Sequence, residues 1–232
     1  MPDQDAPPQP HVAAPAIGSQ AWRSRTAVAL FLLVAAGSTA SDLVSKHLVF
    51  RSFLDDPTLP ELIRANTLPG ETDTRQVIAT LQNRGELTRR VMPGVNLRVA
   101  TNPGTAFGMQ WLPGWATRVL TGLTIILVAG FFASSPRRAY ETHAALGMIV
   151  GGAIGNLYDR LFSVVALPGE HLLPIRGQVR DFIDLSPIQV GGMSYPYVFN
   201  IADVMLVVGV GVLLVSWTIG GRRAKTAGKA GK

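Results

Sequence analysis

Four long apolar stretches decide what this chain can fold into. They run over residues 26–50, 116–134, 143–165 and 198–219. Each comes close to or exceeds the ~20 residues a helix needs to cross a bilayer core ~30 Å thick. A backbone inside that core must satisfy its own N–H and C=O groups, so each stretch is expected to be a helix. Only 16% of the 232 residues are charged, against ~25% in ordinary soluble domains, and the deficit is concentrated in these stretches. The remaining chain is too short for a large separate soluble domain.

The formal net charge of +6 would fit a nucleic-acid binder, so its location matters. Much of the excess flanks the apolar stretches: Arg23 and Arg25, Arg137 and Arg138, and the tail from Arg222 to Lys232. No basic stripe is interleaved with aromatics, so the charge reads as topology and not as nucleic-acid binding. By the positive-inside rule both termini and the Arg137-Arg138 turn face the cytoplasm, which requires an even number of spans. The polar segments 51–115 and 166–197 then lie outside. The first carries several arginines, but it exceeds the length over which the rule holds and its acids roughly balance them.

Residues 1–21, rich in Pro, Ala and Gln, are expected to form a disordered cytoplasmic tail. Residues 22–220 form the membrane domain, and 221–232 a basic cytoplasmic tail. The first span also resembles a cleavable signal peptide, with Ser38-Thr39-Ala40 after an apolar run. The long leading tail and the continuation through Leu43, Val44 and Leu48 favour a retained helix instead. In the first outer segment, residues 61–65 and 74–87 are candidate short helices, and 91–100 alternates like a strand.

Ionisable residues inside spans are costly, so their positions carry information. Asp42 and Asp159 each lie about 16 residues, roughly 24 Å, along spans that run outward. Asp203 lies a few residues into the fourth span, which runs inward. Three acids on three helices thus reach a similar depth near the outer face, which marks a candidate site. Asn156 precedes Asp159 by three residues and Asn200 precedes Asp203 by three, so each acid has an amide on its own helical face. Either pair alone would equally serve to glue helices together. Gly147, Gly151 and Gly155 recur every fourth residue, a pattern for close helix packing. Lys46 lies four residues beyond Asp42, the spacing of an ion pair. Arg160 follows Asp159 and either pairs with an acid or reaches to the interface.

Other chemistries find little support. The chain has no cysteine, which removes disulfides, a thiol nucleophile and thiolate metal sites. The four histidines are scattered, and there is no HExxH, GxSxG or P-loop pattern. Neither metal nor cofactor is expected.

Five blocks then occur in order: Ser41-Asp-Leu-Val-Ser-Lys46, Asn102-Pro-Gly-Thr-Ala-Phe107, Gly151-Gly-Ala-Ile-Gly-Asn-Leu-Tyr-Asp-Arg160, Val179-Arg-Asp-Phe-Ile183 and Phe199-Asn-Ile-Ala-Asp203. In this order they resemble the lipoprotein signal peptidases, the signal peptidase II family. The resemblance implies an α-helical integral membrane protein with four transmembrane helices and a small periplasmic β-containing platform. It implies an intramembrane aspartic endopeptidase of the bacterial inner membrane, active near the periplasmic face as a monomer among membrane lipids. Its substrates would be diacylglyceryl-modified prolipoproteins, cut before the lipidated cysteine. Asp159 and Asp203 would be the catalytic pair. Asn102, Gly104, Asn156, Asn200 and Ala202 would bind substrate or order the site, and Asp42, Lys46, Arg160 and Asp181 would support its structure. Residues 47–101 and 167–178 look longer than the family pattern, and the first of these is expected to form a lid or extra platform. Intramembrane acids also fit a proton-coupled transporter, and the fold would also serve a noncatalytic lipoprotein-binding scaffold.

Overall fold

The computed structural model describes residues 20–104, 113–169, 171–195 and 197–230. The expected tail over residues 1–19 and the Thr105–Gly108 part of the Asn102 block lie outside them.

Helix α1 (Arg25–Leu54) begins where Ser24 caps it by accepting the Ala27 N–H, and it runs unbroken through Ser38-Thr39-Ala40. Two short helices follow, α2 (Leu59–Asn66) and α3 (Thr74–Asn83), the latter capped by Asp73. Strands β1 (Thr88–Met92) and β2 (Val95–Asn102) form a hairpin, whose tight turn places Gly94 at φ +85°, a region glycine enters without a Cβ clash. Helix α4 (Gly114–Ser134) and helix α5 (Tyr140–Phe162) are joined by the Pro136 turn. Beyond α5 come β3 (Val164–Val165), β4 (Ile175–Arg176), β5 (Val179–Asp184), β6 (Gln189–Val190), β7 (Met193–Ser194) and β8 (Val198–Phe199). Helix α6 (Ile201–Ala230) closes the chain. The fourth apolar stretch thus begins as strand, and its helix starts three residues later than 198.

Among the described residues, three helices are long and apolar enough to cross a membrane: Arg25–Leu54, Gly114–Ser134 and the Ile201–Ile219 part of α6. Helix α5 differs from them for a physical reason. Thirteen of its 23 residues are buried, because α1, α4 and α6 all pack on it. A helix that faces protein needs small residues for close approach more than it needs bulky apolar ones. A Cβ added at Gly147 would stand 2.8 Å from the Phe31 carbonyl oxygen, and one at Gly151 would stand 2.5 Å from that of Ala35. Thr39 Oγ1 donates to the Gly151 carbonyl across this contact at 3.0 Å. On the other side of α5, a Cβ at Gly152 would stand 2.5 Å from the Ala202 carbonyl oxygen.

Beside the helices lies a four-stranded antiparallel sheet in the order β1-β2-β5-β8. Its core is continuous with the outer end of α1. Phe50 and Phe53 pack with Leu59 and Ile63 of α2, Val77, Ile78 and Leu81 of α3, Val99 of β2 and Phe182 of β5. The long first outer segment is therefore packed as part of the platform and not as a free lid. The 167–178 segment joins the same core through Leu167, Leu172 and Ile175, and Thr74 Oγ1 donates to the Leu173 carbonyl. A second cluster, with Phe31, Phe132 and Leu146, fills the other end of the helix bundle, where the Phe31 and Phe132 rings stack at 4.2 Å.

Substituting Gly151→Leu should force α1 and α5 apart and lower the thermal melting point in detergent, with a cost of about 1–3 kcal/mol or more. Gly122→Ala on α4, where a Cβ meets nothing within 4 Å, should leave melting unchanged. Equal melting points for the two variants would refute the close-packing account.

Candidate active site

The polar residues of the helices and the sheet converge where α1, α5, β5 and the start of α6 meet. Helix α6 begins with a reciprocal cap. Asn200 Oδ1 accepts the Asp203 N–H at 3.1 Å, and Asp203 Oδ2 accepts the Asn200 N–H at 3.2 Å. This is a capping box with Asp at the third helical position. The Asn200–Asp203 spacing therefore arises from a helix start and not from a face inside a span. A second orphan donor of the helix, the Ala202 N–H, is satisfied by Asp42 Oδ1 at 2.9 Å.

Asp42 and Lys46 form the i,i+4 ion pair at 2.7 Å, with both side chains fully buried. The carboxyl of Asp42 lies directly on Gly155, where any Cβ would collide with it. Lys46 Nζ also reaches Asp159 Oδ2 at 3.2 Å and donates to Asn156 Oδ1 at 2.9 Å. The Asn156 and Asp159 positions thus meet through a lysine from another helix. Asp159 is fully buried, and its other partner is Arg180: the backbone N–H donates to Oδ2 at 3.0 Å, and Nε and Nη2 donate to Oδ1 at 3.0 and 2.7 Å.

Asp159, expected to pair with Asp203, contacts Lys46 and Arg180 in the structure. Both oxygens of Asp159 are occupied by two cations, which leaves the carboxylate neutralised and enclosed. The carboxyl of Asp181 feels the Asp203 charge. Asp181 is 3% exposed and sits on β5, opposite Ala100 of β2. Its carboxyl is pushed up to about 7, first by burial and then by the neighbouring Asp203 charge. The amides of Asn200 and Asn102 and the charge of Lys46 pull it back only in part. Asp181 was expected to support the outer segment. The signal that could have flagged it is an acid that shares one face of a short strand with Val179 and Ile183.

Two amides bridge Asp181 and Asp203. Asn200 Nδ2 donates to Asp181 Oδ1 at 2.6 Å and lies 3.2 Å from Asn156 Oδ1. Asn156 Nδ2 donates to Asp203 Oδ1 at 2.9 Å. Arg160 Nη2 donates to the Gly104 carbonyl at 2.9 Å, and Gly104 N–H donates to Asn102 Oδ1 at 2.9 Å, so Arg160 ties the Asn102–Gly104 turn to α5. All the candidate residues from Asp42 to Asp203 thus belong to one connected polar cluster. Two carboxyl groups joined through amides, one of them raised to about 7, can perform general acid–base chemistry on a water molecule.

Comparison with known proteins bears on the family and the fold. A family model described as signal peptidase (SPase) II matches residues 34–219. A lipoprotein signal peptidase of Desulfitobacterium hafniense is 36% identical over 133 residues, which are 56% of this chain and 73% of that one. One of Brevibacillus brevis is 27% identical over 162 residues, 70% of this chain and 96% of its own. In fold, the chain is similar to a bacterial membrane enzyme solved by the in meso method at 2.3 Å resolution. The TM-score is 0.53 at 21% identity, covering 86% of this chain and 92% of that one. On the strength of the match over residues 34–219, the chain belongs to the signal peptidase II family.

Proposed function

We propose that this chain is an intramembrane aspartic endopeptidase in which Asp181 and Asp203 are the catalytic carboxyls. As a signal peptidase II it removes signal peptides from prolipoproteins. The finer reading is that it cuts diacylglyceryl-modified precursors before the lipidated cysteine. The observation that carries the dyad is the bridged pair itself: Asp181 raised to about 7 beside Asp203, with Asn200 and Asn156 holding both. Asp159 serves as the buried counter-ion of Lys46 and Arg180.

The chemistry follows from the hydrogen bonds. Asp203 accepts N–H groups on both oxygens, from Asn156 Nδ2 and the Asn200 backbone. It takes a proton from water, which attacks the scissile carbonyl. Asp181 carries the proton of the pair and gives it to the carbonyl oxygen as the tetrahedral intermediate forms. Collapse of that intermediate sends a proton to the leaving amine and restores the pair. Neither step calls for a metal or a cofactor.

Helix α5 is read as a further span, third along the chain, beside the three more apolar helices. Its 23 residues reach about 35 Å, enough for the bilayer core, and its less apolar surface is the one that α1, α4 and α6 cover. The basic clusters then put both termini in the cytoplasm and the dyad near the outer face of the bacterial inner membrane. Water is available there, and a lipid-anchored substrate can arrive sideways through the bilayer as the enzyme acts as a monomer.

Cleavage of a diacylglyceryl lipopeptide by purified protein tests the reading. Asp181→Asn and Asp203→Asn should each lower kcat by roughly a thousandfold or more while the protein stays folded. Asp159→Asn should instead unfold the protein at lower temperature, because removing one partner of a buried ion pair costs about 3–5 kcal/mol. Full activity in Asp181→Asn, or an inert but equally stable Asp159→Asn, would return the catalytic role to Asp159. The rate should also fall as pH rises through about 7, since Asp181 then loses the proton it must donate. In Asp203→Asn the nearby negative charge is gone, so the Asp181 carboxyl should titrate at lower pH, read from its infrared C=O band.

A further inference from the structure

Arg180 directly precedes Asp181 on β5, so the two side chains leave the strand on opposite faces. Arg180 points away from the dyad, where it lines an outer pocket together with His47 and Tyr158. Its guanidinium and backbone N–H both hold Asp159. From there a chain of alternating charges crosses the molecule. Asp159 meets Lys46 at 3.2 Å, Lys46 meets Asp42 at 2.7 Å, and Asp42 accepts the Ala202 N–H at 2.9 Å. Ala202 directly precedes Asp203. The ladder therefore begins one residue before one carboxyl of the dyad and ends one residue before the other.

The sheet cannot set that separation alone. Pairing of β5 with β8 places Ile183 opposite Phe199 and Asp184 opposite Val198, and its last pair lies two residues short of Asp181. Beyond it, Asp181 and Asp203 diverge onto a strand and a helix. Asp42, Lys46 and Asp159 are fully buried, and the Arg180 side chain is 15% exposed. Burying four charges is expensive and adds little net stability over an apolar replacement, so such a network is better explained by the geometry it imposes.

We infer that Arg180 is a positioning residue for the peptidase reaction, setting Asp181 against Asp203 through the buried Arg180–Asp159–Lys46–Asp42 ladder. The inference rests on Asp181 and Asp203 being the catalytic pair. It has an electrostatic consequence. The ladder holds two positive and two negative charges, and loss of Arg180 leaves one uncompensated negative charge. The groups that face Asp181 are Asp203 from α6, Lys46 from α1, Arg160 from α5, and the neutral amides of Asn102 and Asn200. The Lys46 charge is already felt at Asp181, so an excess negative charge on the ladder should strengthen proton binding by the dyad.

The test compares Arg180→Met, Arg180→Lys and the charge-balanced double variant Asp159→Asn/Arg180→Met with the full-length enzyme in lipid-like detergent, using a diacylglyceryl lipopeptide. Folding is checked by thermal melting. Arg180→Met should lose kcat by roughly a hundredfold, as expected of a small misplacement, with KM changed by less than about twofold. Its alkaline pH limb should move to higher pH. Arg180→Lys keeps the charge and loses the two-pronged grip, so it should lose kcat with the limb in place. The double variant should return the limb to its original pH without restoring kcat. A folded Arg180→Met with unchanged kcat, or with an unmoved limb, overturns the inference. If that variant does not fold, Arg180→Lys decides, and an unchanged kcat there overturns it equally. Asp181→Asn measured alongside separates the failures: activity retained there sinks the dyad and this inference together. An inert Asp181→Asn beside an unaltered Arg180→Met sinks the positioning role alone.

Discussion

The close approach of α5 to α1 is the contact on which the rest of the molecule depends. Glycines at 147, 151 and 155 let one backbone lie against the other, and the last of them leaves room for a carboxyl. That carboxyl, Asp42, is what places Lys46 between the two helices and anchors the first turn of α6. With side chains at those glycines the helices would stand further apart, and the lysine could not reach both Asp42 and Asp159. Packing in a bilayer gains little from the hydrophobic effect, because lipid tails are as apolar as leucine. Close van der Waals contact and interhelical polar bonds carry the association instead, and here the same contact delivers both.

Three environments then give three carboxyls three different fates. Asp159 is fully buried but lies between a lysine and an arginine, so its charge is cancelled where it stands. Asp42 is buried against a lysine and a helix N-terminus. Asp181 is equally enclosed, yet its direct hydrogen-bond partner is a neutral amide and its near neighbour is another acid. Burial without a counter-ion in direct contact favours the protonated form, which is the form a general acid needs near neutral pH. The environments of these acids thus differ in which cation stands beside each, not in depth.

The four-stranded sheet matters because it carries one of the two bridged carboxyls. Asp181 lies on a strand whose other face packs through Phe182 into the core shared with α2 and α3. Asp203 lies on a helix that begins directly after the last strand of the same sheet. Segments 47–101 and 167–178 meet in this core, where the Thr74 hydroxyl donates to the Leu173 carbonyl. They thicken the support behind β5 and leave the polar cluster intact.

What the sequence determined by itself was local and periodic. Apolar length required helices in a bilayer, and the Asp42–Lys46 spacing required a pair on one helical face. The glycine repeat announced close packing, and the ordered motif blocks identified the family. The twin Asn-x-x-Asp pattern announced a polar site, but its two copies do different work: one is a helix cap, and the other is joined through Lys46. No spacing along the chain could reveal that, because the deciding partners come from elsewhere. Arg180 is 21 residues from the acid it neutralises, and Asn200 is 19 residues from the acid it bridges. Which carboxyl keeps its charge depends on the cations that surround it in space, and only tertiary structure brings them there.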